Sequence, residues 1–240
     1  MDEQVVLVTM SVREVRAGAE LAALAAEVGA SVAHLQQGDP SPARELTRLA
    51  GSGVRRVVVV GVATGPLAPG ASWLRRVVAH WWRERGDDAP QVRVAGALLA
   101  DLDPAAGAGE RVARLVAAAT PVTGAEAGLT SPAWEEVTAH RHQVLVCRGP
   151  RCSARGSDDT AEAVVLALMA HGLGDDDVLL TQTGCLLPCN HAPVVAVQPD
   201  DVWYARVGAG SVDRIVAEHL VDGRPVAAQR LARPAPRGMA

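Results

Sequence analysis

The chain has four cysteines in 240 residues, and all four fall in its second half as two tight pairs, Cys147-x4-Cys152 and Cys185-x3-Cys189. Each pair places two thiols in one short loop, where both can reach a single inorganic core, and no cysteine is left over for a disulfide elsewhere. Ferric iron bridged by sulfide requires four soft anionic ligands arranged as two chelating pairs. Cys147, Cys152, Cys185 and Cys189 are therefore a candidate set for one 2Fe-2S cluster. A structural zinc also uses four thiolates, usually in C-x2-C knuckles, a thiol-disulfide switch favours C-x-x-C, and merely buried, inert cysteines would not pair so neatly; all three stay as alternatives.

Four-cysteine ligation leaves no iron position open to a substrate, so the chemistry such a centre permits is one-electron transfer. Arg148, Arg151 and Arg155 lie in and just after the first pair. There they either screen the negative charge gained on reduction, raising the potential, or are simply solvated side chains. His191 is next but one to Cys189; with four thiolates complete, it is expected beside the centre rather than as a ligand. Trp203 and Tyr204 are expected to pack in a hairpin rather than relay electrons.

The elements that must hold these loops are readable from periodicity. In the second half, residues 143–147 form a strand that delivers the first pair into a loop. Ser157, Asp158 and Asp159 offer N-cap oxygens to a helix over 161–170, and a strand over 178–181 leads to the second pair. Strands over 194–197 and 202–207 flank Gln198-Pro199-Asp200-Asp201, a hairpin signal, and 215–220 closes the unit with a helix. From Arg233 onward the composition suggests a frayed tail. The first half alternates Val-rich runs with amphipathic segments: strands over 5–9, 31–36, 56–62 and 92–98, and helices over 13–28, 42–50, 73–85 and 111–119. Continuous Val runs between helices imply a parallel sheet buried on both faces. Residues 120–132 are rich in Gly, Ala, Thr and Pro without apolar period. The expected organisation is thus a first domain over 1–119, a linker over 120–141, a second domain over 142–232 and a tail over 233–240.

Composition narrows the setting. Net charge is -4, the basic residues are arginines scattered along the chain, and there is no lysine, which argues against a nucleic-acid surface. The first residues carry acids rather than a basic n-region, and no apolar run approaches the roughly 18 residues of a membrane helix. A soluble cytoplasmic protein without membrane attachment is expected, in a reducing compartment where clustered cysteines signal metal or redox chemistry. Gly65-Pro66-Leu67-Ala68-Pro69-Gly70-Ala71-Ser72 follows the strongest strand and mimics the spacing of a phosphate loop. It lacks the lysine that would contact phosphate, so nucleotide binding is not expected.

From Val144 to about Leu231 the text resembles the thioredoxin-like 2Fe-2S ferredoxins, which are related to a peripheral subunit of respiratory NADH dehydrogenase. The resemblance rests on Cys147-Arg148-Gly149-Pro150-Arg151-Cys152 with Arg155-Gly156, on Cys185-Leu186-Leu187-Pro188-Cys189, and on Ala192-Pro193-Val194-Val195 and Val202-Trp203-Tyr204. It implies a thioredoxin-like domain with a mixed sheet, the four cysteines as cluster ligands, a redox protein as partner, and dimer formation. Leu187 is a departure, since the family often has Gly there, which lets the backbone approach the cluster.

A second resemblance covers residues 4 to about 119. Ala33-His34-Leu35 leading to Asp39-Pro40-Ser41, Gly53 through Val60, the Gly-rich loop, and Gly96 to Arg111 are similar to the sirohydrochlorin chelatases. Those enzymes insert Co or Fe into a tetrapyrrole using histidines after the first strand and in the loop after the third. This chain has Met10 and Ser72 at those positions, and neither accepts a proton at neutral pH. His34 and His80 are the candidates for a relocated site, each also readable as structural. The resulting expectation is an α/β protein: a degenerate chelatase-like parallel-sheet domain, for docking or binding a tetrapyrrole ligand, fused to a thioredoxin-like electron carrier. An active tetrapyrrole metallochelatase with an accessory iron-sulfur domain is the alternative.

Overall fold

The computed structural model describes residues 3–65, 67–103, 105–132 and 135–234. The chain divides into two compact units, Met1–Pro132 and Ala133–Ala240.

In the first unit β1 (Glu3–Thr9), β2 (Ser31–His34), β3 (Arg56–Val62) and β4 (Gln91–Val94) pair in parallel in the order β2-β1-β3-β4. The Val run of β3 is continuous because both of its faces are covered. Val57 and Val59 enter one core with Leu46 and Leu49 of α3 (Pro42–Gly51) and Leu74, Val78 and Trp81 of α4 (Ala71–Arg85). Val58, Val60 and Val62 enter the other, with Leu21 and Leu24 of α2 (Gly18–Glu27) and Val112 of α5 (Ala108–Ala117). Strand alternation thus sends successive residues to opposite helical layers, each fully buried Val contributing about 1.5–3 kcal/mol.

Three expectations for this unit change. The helix over 13–28 is two helices, α1 (Val12–Arg16) and α2, broken at Ala17, whose φ of -76° and ψ of 38° are not helical. Gly18, a poor helix former, follows the break. The strand over 92–98 stops at Val94: Ala95 N–H donates to Val59 O and Leu99 N–H to Gly61 O, so the residues between them loop out. Leu98 is tucked over Gly61, where an added Cβ would lie 2.5 Å from Leu98 Cδ2. Thr120–Pro121, expected to open the linker, form β5, an antiparallel edge strand beside β4.

The second unit has a mixed sheet ordered β7-β6-β8-β9. β6 (His142–Cys147) runs parallel to β7 (Val178–Thr183), while β8 (Val195–Gln198) and β9 (Val202–Tyr204) complete it antiparallel. Val144, Val146, Val195, Val197, Val202 and Tyr204 pack against α7 (Ser157–Ala170) and against α8 (Ala209–Ile215), which continues as a π-helical segment over Val216–Val221. Ser157 is not a cap. It is the first residue of α7, behind Gly156 in the left-handed region, and its buried Oγ has no hydrogen-bond partner. Of the expected tail, residues 235–240 lie outside the described residues. Arg233 is held by an ion pair with Asp201 and by stacking over Trp203, 5.9 Å from its ring centre.

Candidate metal centre

The parallel pairing of β6 and β7 sets the site. Cys147 is opposite Thr183, so both strands end side by side and release their loops in the same direction. Arg148 N–H donates to Thr183 O at 3.0 Å, and Cys147 N–H to Val194 O at 3.1 Å. The first loop turns at once into α6 (Pro150–Ser153), with Pro150 at a position where its missing N–H costs nothing. Ser153 Oγ ties the loop back to Arg148 O at 3.1 Å, and α6 carries Cys152 inward.

The second loop meets the first at Gly149. A Cβ there would stand 2.9 Å from both Cα and Cβ of Cys185 and 3.3 Å from its Sγ, so only glycine fits. Leu186 N–H donates to Cys147 Sγ at 3.4 Å, and Cys185 and Cys189 Sγ are 3.4 Å apart. Cys147 and Cys152 are buried with Ala192 and Val194, whereas Cys185 is exposed and Cys189 half-buried. The four predicted cysteines are therefore brought together on two abutting loops, all as free thiols.

The thiols feel one another. Burial pushes Cys152 up to about 11, with its hydrogen bond to Cys147 adding to the shift. Cys185 is held below the ordinary thiol value by the Leu187 backbone N–H and by Cys189, and Cys189 is correspondingly raised by its bond to Cys185. The Arg151 guanidinium favours the thiolate at both.

The surroundings suit an electron-rich group. His191 leaves Nδ1 buried and without a partner, two residues from Cys189. Arg148 is nearly buried, hydrogen-bonded to Gln182 at 2.9 Å and ion-paired with Asp158, so it is a structural anchor as well as a charge. Arg151 and Arg155 are exposed. Among the described residues, no three His, Cys, Asp or Glu side chains form a cage around one metal ion. Tyr204 is fully buried and Trp203 packs beside the buried cysteine cluster, both as packing residues.

Leu187 has a φ of 52° and is 67% exposed. An L-residue in that region costs about 1–2 kcal/mol, which is the physical content of the departure from glycine at this position.

In the first unit the chelatase-like positions do not assemble. Met10 is fully buried among Leu74, Val78 and Val8, while Ser72 is exposed on the first turn of α4. His34 shares a hydrogen bond with the buried Thr9 hydroxyl at 2.9 Å, and burial lowers its pKa. His80 faces outward and contacts Glu84 at 3.3 Å. Trp81 and Trp82 pack as expected, their indole N–H groups donating to Thr47 and to Pro90 O.

Sequence reasoning missed Glu14. It is fully buried between the carboxyl ends of β1 and β3, the point where strand order reverses and open α/β sheets bind ligands. Here the point is stitched shut: Ser11 N–H and Oγ donate to Glu14 Oε2 at 2.9 and 2.7 Å, and Thr64 N–H and Oγ1 to Oε1 at 2.7 and 3.0 Å. Its signal was the Ser-x-x-Glu capping box at residues 11–14.

Comparison with known proteins adds four findings. The family model described as thioredoxin-like [2Fe-2S] ferredoxin matches residues 133–220. A 2Fe-2S ferredoxin of Aquifex aeolicus is 36% identical over 88 residues, covering 37% of this chain and 79% of that protein. A crystal structure of the thioredoxin-like [2Fe-2S] ferredoxin from that organism matches with a TM-score of 0.36 and 33% identity, over 38% of this chain and 97% of that one. A putative cobalamin biosynthesis protein CbiX from Marinobacter aquaeolei is similar at 21% identity and a TM-score of 0.34, over 48% of this chain and 93% of that one.

Proposed function

Since this chain belongs to the thioredoxin-like [2Fe-2S] ferredoxin family through its second unit, we propose that Cys147, Cys152, Cys185 and Cys189 hold the single 2Fe-2S cluster of a one-electron carrier. The observation that supports this assignment is the abutment of the two cysteine loops at Gly149, which gathers the chain's four thiols at the ends of β6 and β7. When bound, the cluster supplies a site that gains and releases one electron without opening a coordination position. The protein's part is to seal and to present. Cys147 and Cys152 lie on the buried side, where Val194 and Ala192 exclude water, and Cys185 reaches the surface as the exit. The buried His191 Nδ1 and the charge of Arg151 stand ready to stabilise added negative charge.

The first unit serves, in this reading, as a docking or ligand-binding module without chelatase turnover. Met10 is locked in the core and Ser72 offers no base, so neither chelatase position can accept a pyrrole proton. Anaerobic purification with iron and sulfide analysis, absorption and EPR before and after dithionite tests the carrier. About two irons and two sulfides per chain, and an EPR signal only after reduction, are expected. A colourless protein holding one zinc would sink the assignment. Incubation with sirohydrochlorin and Co(II) is expected to proceed no faster than the protein-free blank, and faster insertion would establish the metallochelatase instead.

A further inference from the structure

Three segments border the cysteines: residues 147–156, residues 184–192, and the turn at 205–208, which joins them where Arg206 N–H donates to His191 O at 2.8 Å. Together they contain Arg148, Arg151, Arg155 and Arg206 and not one Asp or Glu, in a chain whose net charge is -4. Arg148 is neutralised by Asp158. Arg151, Arg155 and Arg206 are exposed, and among the described residues no ion pair engages any of them. Beside the exposed Cys185 stand Leu187 and Pro188, both exposed, with Leu187 held outward in a costly left-handed conformation. An apolar point with a polar, charged rim is the anatomy of a small protein-protein contact.

We propose that this face docks a redox protein whose contact surface carries Asp and Glu side chains, the carboxylates meeting Arg151, Arg155 and Arg206 while Leu187 and Pro188 fill the centre. The proposal rests on the reading of the four cysteines as cluster ligands. Its physical basis is range: at physiological salt, charges more than about 8 Å apart are largely screened, so an approaching partner responds to the local arginines rather than to the acidic chain as a whole. The negative charge of a four-thiolate core opposes these arginines, and the guanidiniums on the rim decide which sign the partner meets.

The test uses the full chain with its cluster, loading being verified beforehand by iron, sulfide and absorption. Failure to load a cluster counts against the carrier assignment, separately from the docking face. The reduced protein is then mixed with two oxidants of opposite charge, the iron(III)-EDTA anion and the hexaamminecobalt(III) cation, from about 0.1 M salt, where the screening length is already only about 10 Å, to about 0.5 M. The anion is expected to react roughly threefold or more slowly at high salt than at low, with no such fall for the cation. Poly-L-glutamate is expected to slow the anion reaction, and poly-L-lysine to leave it unchanged. The combined variant Arg151→Gln, Arg155→Gln, Arg206→Gln should lose most of this salt dependence while keeping its iron and sulfide. An anion rate that rises with salt, a cation that is the favoured oxidant at low salt, or a loaded variant that behaves like the parent would overturn the proposal. The first two need no variant, so a poorly folding triple substitution leaves the test intact.

Discussion

Gly149 and Leu187 are the residues where the backbone around the thiols has least room to change. Gly149→Ala places a methyl group 2.9 Å from the Cys185 backbone, and backbone cannot swing away as a long side chain can. The expected result is a loss of about 1–3 kcal/mol of stability and a fall in iron per chain. Gly184→Ala, which meets nothing within 4 Å, is the matched control and should retain both; equal losses would remove Gly149 from the argument. Leu187→Gly relieves a φ of 52° and is expected to raise the denaturant midpoint, by an amount equivalent to about 0.5–1 kcal/mol. The two cysteine loops were legible because closely spaced thiols stand out in a chain that has only four cysteines. The tight contact at Gly149 was not, since it depends on a partner 36 residues away that only the β6-β7 register brings near.

At the scale of elements, two buried polar networks pin helices to sheets. Glu14→Gln must present an amide NH2 to donors on one side or the other, because Ser11 and Thr64 each offer a backbone N–H and a hydroxyl. A loss of about 1–3 kcal/mol is expected in urea unfolding of the first unit, and an unchanged midpoint would show that the network contributes little. In the second unit, Tyr204 OH lies 2.8 Å from His219 Nδ1 and accepts Val226 N–H, while Asp200 Oδ2 lies 3.3 Å from His219 Nε2 and 3.2 Å from His142 Nε2. Burial holds the His219 pKa below its ordinary 6.5, only partly offset by Asp200. The unfolded chain therefore binds this proton more readily. Stability is full above about pH 6.5 and is lost as the pH falls through that value, levelling off once the folded histidine also titrates. Urea midpoints between pH 8 and pH 5 should show this decline, with a shallower one in His219→Gln. Strand and helix existence was readable from the Val runs and amphipathic periods. The break at Ala17 was hidden by the apolar period that runs through it, and the early end of β4 and the added β5 were not readable because they are decided by the hydrogen bond of Leu99 to Gly61 and by pairing with β4 rather than by local pattern.

At the scale of the molecule, each unit has its own sheet and its own core, and among the described residues no strand is shared between the sheets. The match to the relative from Aquifex aeolicus takes up 37% of this chain but 79% of that protein, so most of the relative's length corresponds to the second unit. A fragment spanning residues 135–232 is accordingly expected to fold and to carry the same iron and sulfide as the full chain. Aggregation of the fragment, or its failure to take up iron, would show that the first unit is needed for folding or assembly. A parallel sheet was expected in the first half from its Val runs and a mixed sheet in the second from its resemblance to the thioredoxin-like ferredoxins, and both are present. Where one unit hands over to the next was obscured by β5, whose two residues read as linker because a short edge strand carries no apolar period.

The uneven burial of the four sulfurs has one more consequence. A face open enough to bring a partner close to the sulfurs also admits oxygen and peroxide, and here it lies on one side only. Cys147 and Cys152 are 1% exposed, while Cys185 lies open to solvent with Cys189 only 3.4 Å away. Damage in air should follow that order. Cys185 and Cys189 are expected to be the pair that oxidises to a disulfide first, with Cys147 and Cys152 still alkylatable, and mass spectrometry of aerated protein can read that sequence directly. The same exposure that gives the centre its reach sets its lifetime.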